Sequence, residues 1–182
     1  MLFRLYIKTK IKAYDVLALI VLLFLIGLGS GIWHFTQSPV GEFLDVIPIL
    51  LFILVFIASF LKRFVGAKTP YIVLSIFLFI LLSYSAQFLF EEEPLKTSGG
   101  YLPALLVLIL MSFYLIQKKV KVSKTFALAS LVFIVSISFR SLDFILCSGF
   151  STGSHFVWHI LNAVALYLLT KALIVVSPKL IR

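Results

Sequence analysis

The sequence predicts an all-α polytopic membrane protein, a bundle of six transmembrane helices forming a single domain over residues 1–182, and three observations predict it. Apolar residues make up 62% of the chain and charged residues 13%, a balance that the surface of a soluble domain of this length cannot carry. Six apolar stretches are long enough, or nearly so, for a hydrocarbon core that takes about 20 helical residues to cross. The basic residues gather in alternate connections, as they do when successive loops face opposite sides of a membrane.

The first stretch, 14–33, follows Arg4, Lys8, Lys10 and Lys12. Its run Gly27-Leu28-Gly29-Ser30-Gly31 imitates the cleavage region of a signal peptide, but the apolar run is too long for a typical h-region. Cleavage there would also part Ser30 from His34, so the segment reads as a retained helix. The second stretch, 43–61, contains Asp45 in its first turn and is followed by Lys62, Arg63 and Lys68. The third, 70–90, leads into Glu91-Glu92-Glu93, read as a solvated loop. The fourth, 101–117, is the shortest and precedes Lys118, Lys119, Lys121 and Lys124. The fifth, 125–146, carries Arg140 and Asp143 at its far end, and the sixth, 154–176, opens on His155 and His159. Helices are expected rather than barrel strands because the runs are continuously apolar, without alternation along each strand.

Fourteen of the sixteen Lys and Arg fall on one side in this topology, leaving Lys96 and Arg140 on the other, so both termini are expected in the cytoplasm. The same rule accounts for the net charge of +9 and removes the need for a nucleic-acid partner. The setting expected is a bacterial inner membrane or, in a eukaryote, the ER or Golgi membrane. Ser98, in an outer loop, should be reachable by a water-soluble reagent from outside, and Trp33 and Trp158 suit interfacial anchoring, although both also flank the histidines His34, His155 and His159. Cys147, the single cysteine, allows no internal disulfide and no thiolate cluster, so a metal site would have to use imidazole and carboxylate.

Ser30, His34, Asp45, His155 and His159 are then brought by topology to one membrane depth, on the non-cytoplasmic side, and they include every histidine in the chain. His155 and His159 are i and i+4, which stacks two imidazoles on one helix face about 6 Å apart along the axis. Ser30 lies one turn below His34. Three histidines are the usual protein contribution to a hydrolytic zinc site with an open fourth position, so the chain reads first as a membrane metallohydrolase that uses Zn2+. Each residue also has a plain structural alternative. A lone interfacial His34 can be a snorkelling side chain, Ser30 a small packing residue, and Asp45 a partner of Glu42 at a helix start. For Arg140 and Asp143 the alternatives are a mutual i,i+3 ion pair, or Arg140 as the holder of a substrate phosphate or carboxylate with Asp143 orienting a ligand histidine.

The spacing Ser30-x3-His34, an Asp eleven residues after that His, and the late His155-x3-His159 resembles the alkaline ceramidases and the wider CREST superfamily of membrane hydrolases, which includes the adiponectin receptors and hydrolases that remodel GPI lipids. The segment Asp143 to Asn162 is similar to the closing motif of the ceramidase branch, in which an Asp and a Cys precede a Gly-x-His-x-x-x-His helix. The resemblance implies zinc on His34, His155 and His159, with Asp45 and Ser30 beside the metal-bound water. It also implies a seven-helix fold of which this chain lacks the first helix. That region supplies acidic calcium ligands in alkaline ceramidases, and only Asp15 precedes Ser30 here, so no equivalent calcium site is expected.

The chemistry suited to such a site is hydrolysis of an amide, or second an ester, in a membrane lipid. Zinc lowers the pKa of bound water to about 7. Asp45 would accept the water's proton and pass it to the leaving amine, and Ser30 would donate to the developing oxyanion. Two other classes stay open at this point: a receptor or regulatory protein using the same zinc fold without turnover, and a haem protein with histidines as axial ligands.

Overall fold

The computed structural model describes residues 1–9, 13–90, 94–96, 98–146 and 153–176, with the side chain of Phe144 left aside. Glu91–Glu93, Cys147 and the basic residues Lys10, Lys12, Lys179 and Arg182 lie outside the described residues. Among the described residues the structure is entirely helical: α1 (Leu2–Lys8), α2 (Tyr14–Thr36), α3 (Pro39–Phe60) running on into a π-helical turn (Leu61–Val65), α4 (Thr69–Leu89), a 3-10 turn (Gly99–Tyr101), α5 (Leu102–Gln117), α6 (Ser123–Leu146) and α7 (His155–Val176). Six of these elements are long and apolar enough to span a membrane, which makes this a multi-pass membrane protein. They match the six expected stretches, whose ends differ by at most four residues. Helix α1 is additional.

The largest difference is at the start of α3, and its cause is local. Helix α2 runs on to Thr36 and stops where Gln37 turns left-handed at φ 47°, its N–H bonding the Trp33 carbonyl at 2.8 Å. Ser38 then caps α3 by accepting from the Gly41 N–H at 3.1 Å, and Pro39 occupies the first turn, where its missing N–H is not needed. The two helices therefore form a hairpin with almost no loop. As a result His34 sits in the last turn of α2, not beyond it, and Asp45 sits in the second turn of α3, not the first.

The chain divides into two compact units, one of Met1–Ile76 with Thr170–Arg182 and one of Phe77–Leu169. In the first unit α2 and α3 pack along their length. Pro48 lies inside α3 and has no N–H to give the carbonyl four residues earlier, that of Leu44. That carbonyl faces Gly29 of α2, where any side chain would collide with it. Only glycine lets the backbones approach so closely, and a Cα–H to carbonyl contact is the weak bond that suits such an approach. At the other end of the pair Arg63, in the π-helical turn, makes a bidentate pair with Asp15 of α2, its Nη2 2.6 Å from Oδ1 and its Nε 3.0 Å from Oδ2.

In the second unit, serines join the helices. Ser112 of α5 and Ser130 of α6 share a buried hydroxyl contact at 2.8 Å. Ser141 of α6 donates to Ser98 at 2.8 Å, and Ser136 of α6 donates to the Trp158 carbonyl of α7 at 3.0 Å. Hydroxyls bonding across apolar helices hold a bundle together where the hydrophobic effect cannot discriminate helix from lipid. Ser98 is fully buried, so the reagent accessibility expected of it is corrected: its hydroxyl is an internal partner of α6.

Candidate metal centre

Helix α7 begins at the residue that matters most. The Asp143 carboxylate, from the last turns of α6, accepts from the backbone N–H of Ser154 and from that of His155, the latter at 2.9 Å. The Ser154 hydroxyl contacts the same oxygen at 3.2 Å and also bonds the Phe139 carbonyl at 2.9 Å. Free N–H groups at a helix start carry partial positive charge, and a carboxylate there both satisfies and neutralises them. The other carboxylate oxygen of Asp143 lies 3.9 Å from His155 Nδ1. One acidic side chain thus fixes where α7 starts and faces its first histidine.

From that start the i,i+4 spacing does what helix geometry requires. The His155 and His159 rings stand edge to face with centroids 4.7 Å apart. Trp158 packs against both, at 5.2 Å from His155 and 4.3 Å from His159. It is almost fully buried, so of its two expected roles, interfacial anchor and neighbour of the histidines, the structure keeps the second: an internal wall behind the two imidazoles. On its ring stands Arg140, with the guanidinium carbon 4.3 Å from the Trp158 centroid and 5.2 Å from that of Tyr101. Arg140 thus stacks on aromatic rings, and Asp143, three residues on, meets the α7 backbone.

In the first unit the polar residues stand on regular helix. Gly29 abuts Leu44 and the Asp45 backbone, so the next residue on each side of that contact, Ser30 on α2 and Asp45 on α3, lies at the same level. Ser30 is half-buried and Asp45 buried, at 8% exposure. The pull of the helix dipole on a carboxylate fades beyond the first turn, so its position in the second turn weakens the reading of Asp45 as a helix-start residue. His34 lies one turn above Ser30 and is exposed.

His155 and His159 thus offer two ring nitrogens from one face of α7, and His34, in the first unit, is the remaining histidine of the chain. The donor set suits zinc: three imidazoles are a hydrolytic zinc set with the fourth position open, and nitrogens bound at about 2.0–2.1 Å stand about 3.4 Å apart around a tetrahedral ion. Sequence reasoning did not anticipate Tyr101 beside Arg140, or Asp143 as the cap of α7. Tyr101 gave no signal. Asp143 did, since an acid shortly before a helix that opens Ser154-His155 is a capping pattern once a turn is allowed between them.

The family model described as Ceramidase matches residues 1–180 of the chain. No curated protein matches it, and no solved structure does.

Proposed function

The chain belongs to the ceramidase family, whose model matches almost its whole length, and from that premise we propose that it is an integral-membrane, zinc-dependent hydrolase cleaving an amide bond in a membrane lipid, with an ester as the second choice. The family supports a ceramidase-like hydrolase acting on lipid. The observation that supports the finer reading is the pair His155 and His159, whose ring centroids stand 4.7 Å apart on one face of α7 in a chain whose one other histidine is His34. His34, His155 and His159 would hold a zinc ion, which would supply the Lewis acidity that polarises a carbonyl and makes water acidic enough to serve as nucleophile near neutral pH.

The chain's own residues do the rest. Asp45, a buried carboxylate, takes a proton from the attacking water and returns it to the leaving nitrogen, which cannot depart as an anion. Ser30, level with Asp45, donates its hydroxyl to the oxygen on which negative charge develops. Asp143 holds His155 in place by fixing the first turn of α7 and by facing its Nδ1. The long apolar helices offer a place for the acyl chain.

The test of the metal reading is elemental analysis of purified protein. About one zinc per chain is expected, with a sharp drop in His34→Ala, His155→Ala and His159→Ala, each of which removes one of three protein ligands. Full zinc content in His159→Ala would show the histidines to be structural. We also place both termini in the cytoplasm and the histidines on the far side, from the distribution of basic residues. Lys96 is exposed, unlike Ser98, so Lys96→Cys in a Cys147→Ser background should react with an impermeant reagent in intact cells. Labelling only after the membrane is broken would reverse the orientation.

A further inference from the structure

Arg140 stands where a cation is expensive. It belongs to a membrane-spanning helix and is half-buried, with its guanidinium over the rings of Trp158 and Tyr101. Within a membrane such residues face the protein interior and mark binding paths or relays, because lipid does not solvate them. Two rings at 4.3 and 5.2 Å hold the guanidinium in place, and Tyr101 in turn stands edge-on to Trp158 at 5.8 Å. The Ser141–Ser98 hydrogen bond, one residue from Arg140 and three from Tyr101, ties the two backbones together. A guanidinium stacked on an aromatic face keeps its N–H donors in its own plane, which is the geometry that receives a carboxylate or phosphate through two parallel bonds.

The second observation is on Trp158 itself. Its Nε1–H is buried and has no hydrogen-bond partner among the described residues, although the residue is only 1% exposed. An enclosed donor of this kind is satisfied by a ligand that brings oxygen acceptors. The other neighbours of the Trp158 ring are His155 and His159, so Arg140 lies one aromatic ring away from the imidazoles. That separation suits a charged group joined to a scissile amide by a short linker.

We propose that Arg140, held by Trp158 and Tyr101, forms a subsite for the anionic head group, carboxylate or phosphate, of the lipid that the histidine site cleaves. This assignment rests on the hydrolase reading above, and it predicts a preference for N-acyl lipids that carry an acidic group. A neutral head group can accept a hydrogen bond from a guanidinium but brings it no opposite charge, whereas an oxyanion in this partly dry setting exchanges hydration for two charge-assisted hydrogen bonds.

Matched pairs of lipids test it on the zinc-loaded protein in detergent: N-palmitoylglycine against N-palmitoylglycinamide, and N-palmitoyl-phosphoethanolamine against N-palmitoylethanolamine. Wild type should favour the charged member of at least one pair by about tenfold or more in kcat/KM, and in binding followed by tryptophan fluorescence. Arg140→Gln should collapse that ratio, chiefly through KM. Arg140→Lys, which keeps the charge but not the planar fork, should fall between them and serves if Arg140→Gln does not fold. Charge preference in binding without hydrolysis of any lipid would keep the subsite and sink the hydrolase reading. Equal treatment within both pairs, or a preference that survives in Arg140→Gln, would overturn the subsite. Inhibition by inorganic phosphate with no preference within either pair would assign the cation to a free anion, and would also overturn it.

Discussion

The α2–α3 pair and the α6–α7 pair both carry polar residues at helix ends, but they hold them by different physical means. In α2–α3 the contact is backbone on backbone: Gly29 lies against the Leu44 carbonyl that Pro48 leaves without its helical partner, and Ser30 and Asp45 follow immediately. In α6–α7 side chains hold the contact. Asp143, Ser154 and Ser136 each bond a main-chain group of the facing element. A backbone contact has no rotamers through which to yield, so perturbing it should be abrupt. A side-chain cap can be weakened in steps, and a close analogue can replace part of what it does.

The largest effect expected tests whether the rigid pair carries the chemistry. Asp45→Asn is nearly isosteric and leaves the α2–α3 backbone alone, so the protein should fold and keep its zinc while lipid hydrolysis falls about 10²–10⁴-fold, the range for loss of a proton-transfer group. Ser30→Ala should be milder, about 10²–10³-fold at most, since a metal ion shares the task of stabilising the oxyanion. Hydrolysis by Asp45→Asn at the wild-type rate would remove Asp45 from the mechanism.

A second variant attacks the backbone contact itself. Gly29→Ala places a methyl group into the Leu44 carbonyl, and overpacking of this kind costs about 1–3 kcal/mol. Gly27 and Gly31, on the same helix, have open space around the position a methyl would take. Gly27→Ala should therefore melt at or slightly above the wild-type temperature, because alanine is the better helix former. Thermal melting in detergent compares the two directly, and equal melting temperatures would show that the α2–α3 approach is not as tight as described.

The contrast between the pairs also explains what could be read from the sequence. Six apolar runs give the helices and their order, because hydropathy acts residue by residue and needs no partner. His155 and His159 were legible together because i,i+4 spacing is a local property of a helix. The start of α3 was misplaced by four residues because its signal is polar, a Ser38 cap followed by Pro39, within a stretch read by apolarity. Ser98 and Trp158 were assigned to water and interface by their place in the chain, yet both are buried by residues distant in sequence: Ser98 by Ser141, and Trp158 by Tyr101 and Arg140. Tyr101 itself was invisible, since nothing local marks an aromatic residue as the support of a cation.

The smallest effect expected separates the two tasks of Asp143, and so tests the side-chain half of the comparison. Asp143→Ala removes the acceptor at the start of α7 and should lower stability by about 0.5–2 kcal/mol, as loss of a helix N-cap does. It should also weaken zinc binding about 10–100-fold, the usual effect of removing a group that orients a ligand histidine. Asp143→Asn distinguishes these consequences. Its side-chain oxygen can still accept from the Ser154 and His155 N–H groups, and asparagine caps helices about as well as aspartate, so the melting temperature should stay near wild type. The negative charge facing His155 Nδ1 is gone, however, and competition with a chelator should still reveal weakened zinc binding. If Asp143→Asn instead binds zinc as wild type does, then Asp143 acts only through the backbone of α7, and the placement of His155 depends on where its helix begins rather than on the carboxylate charge beside its ring.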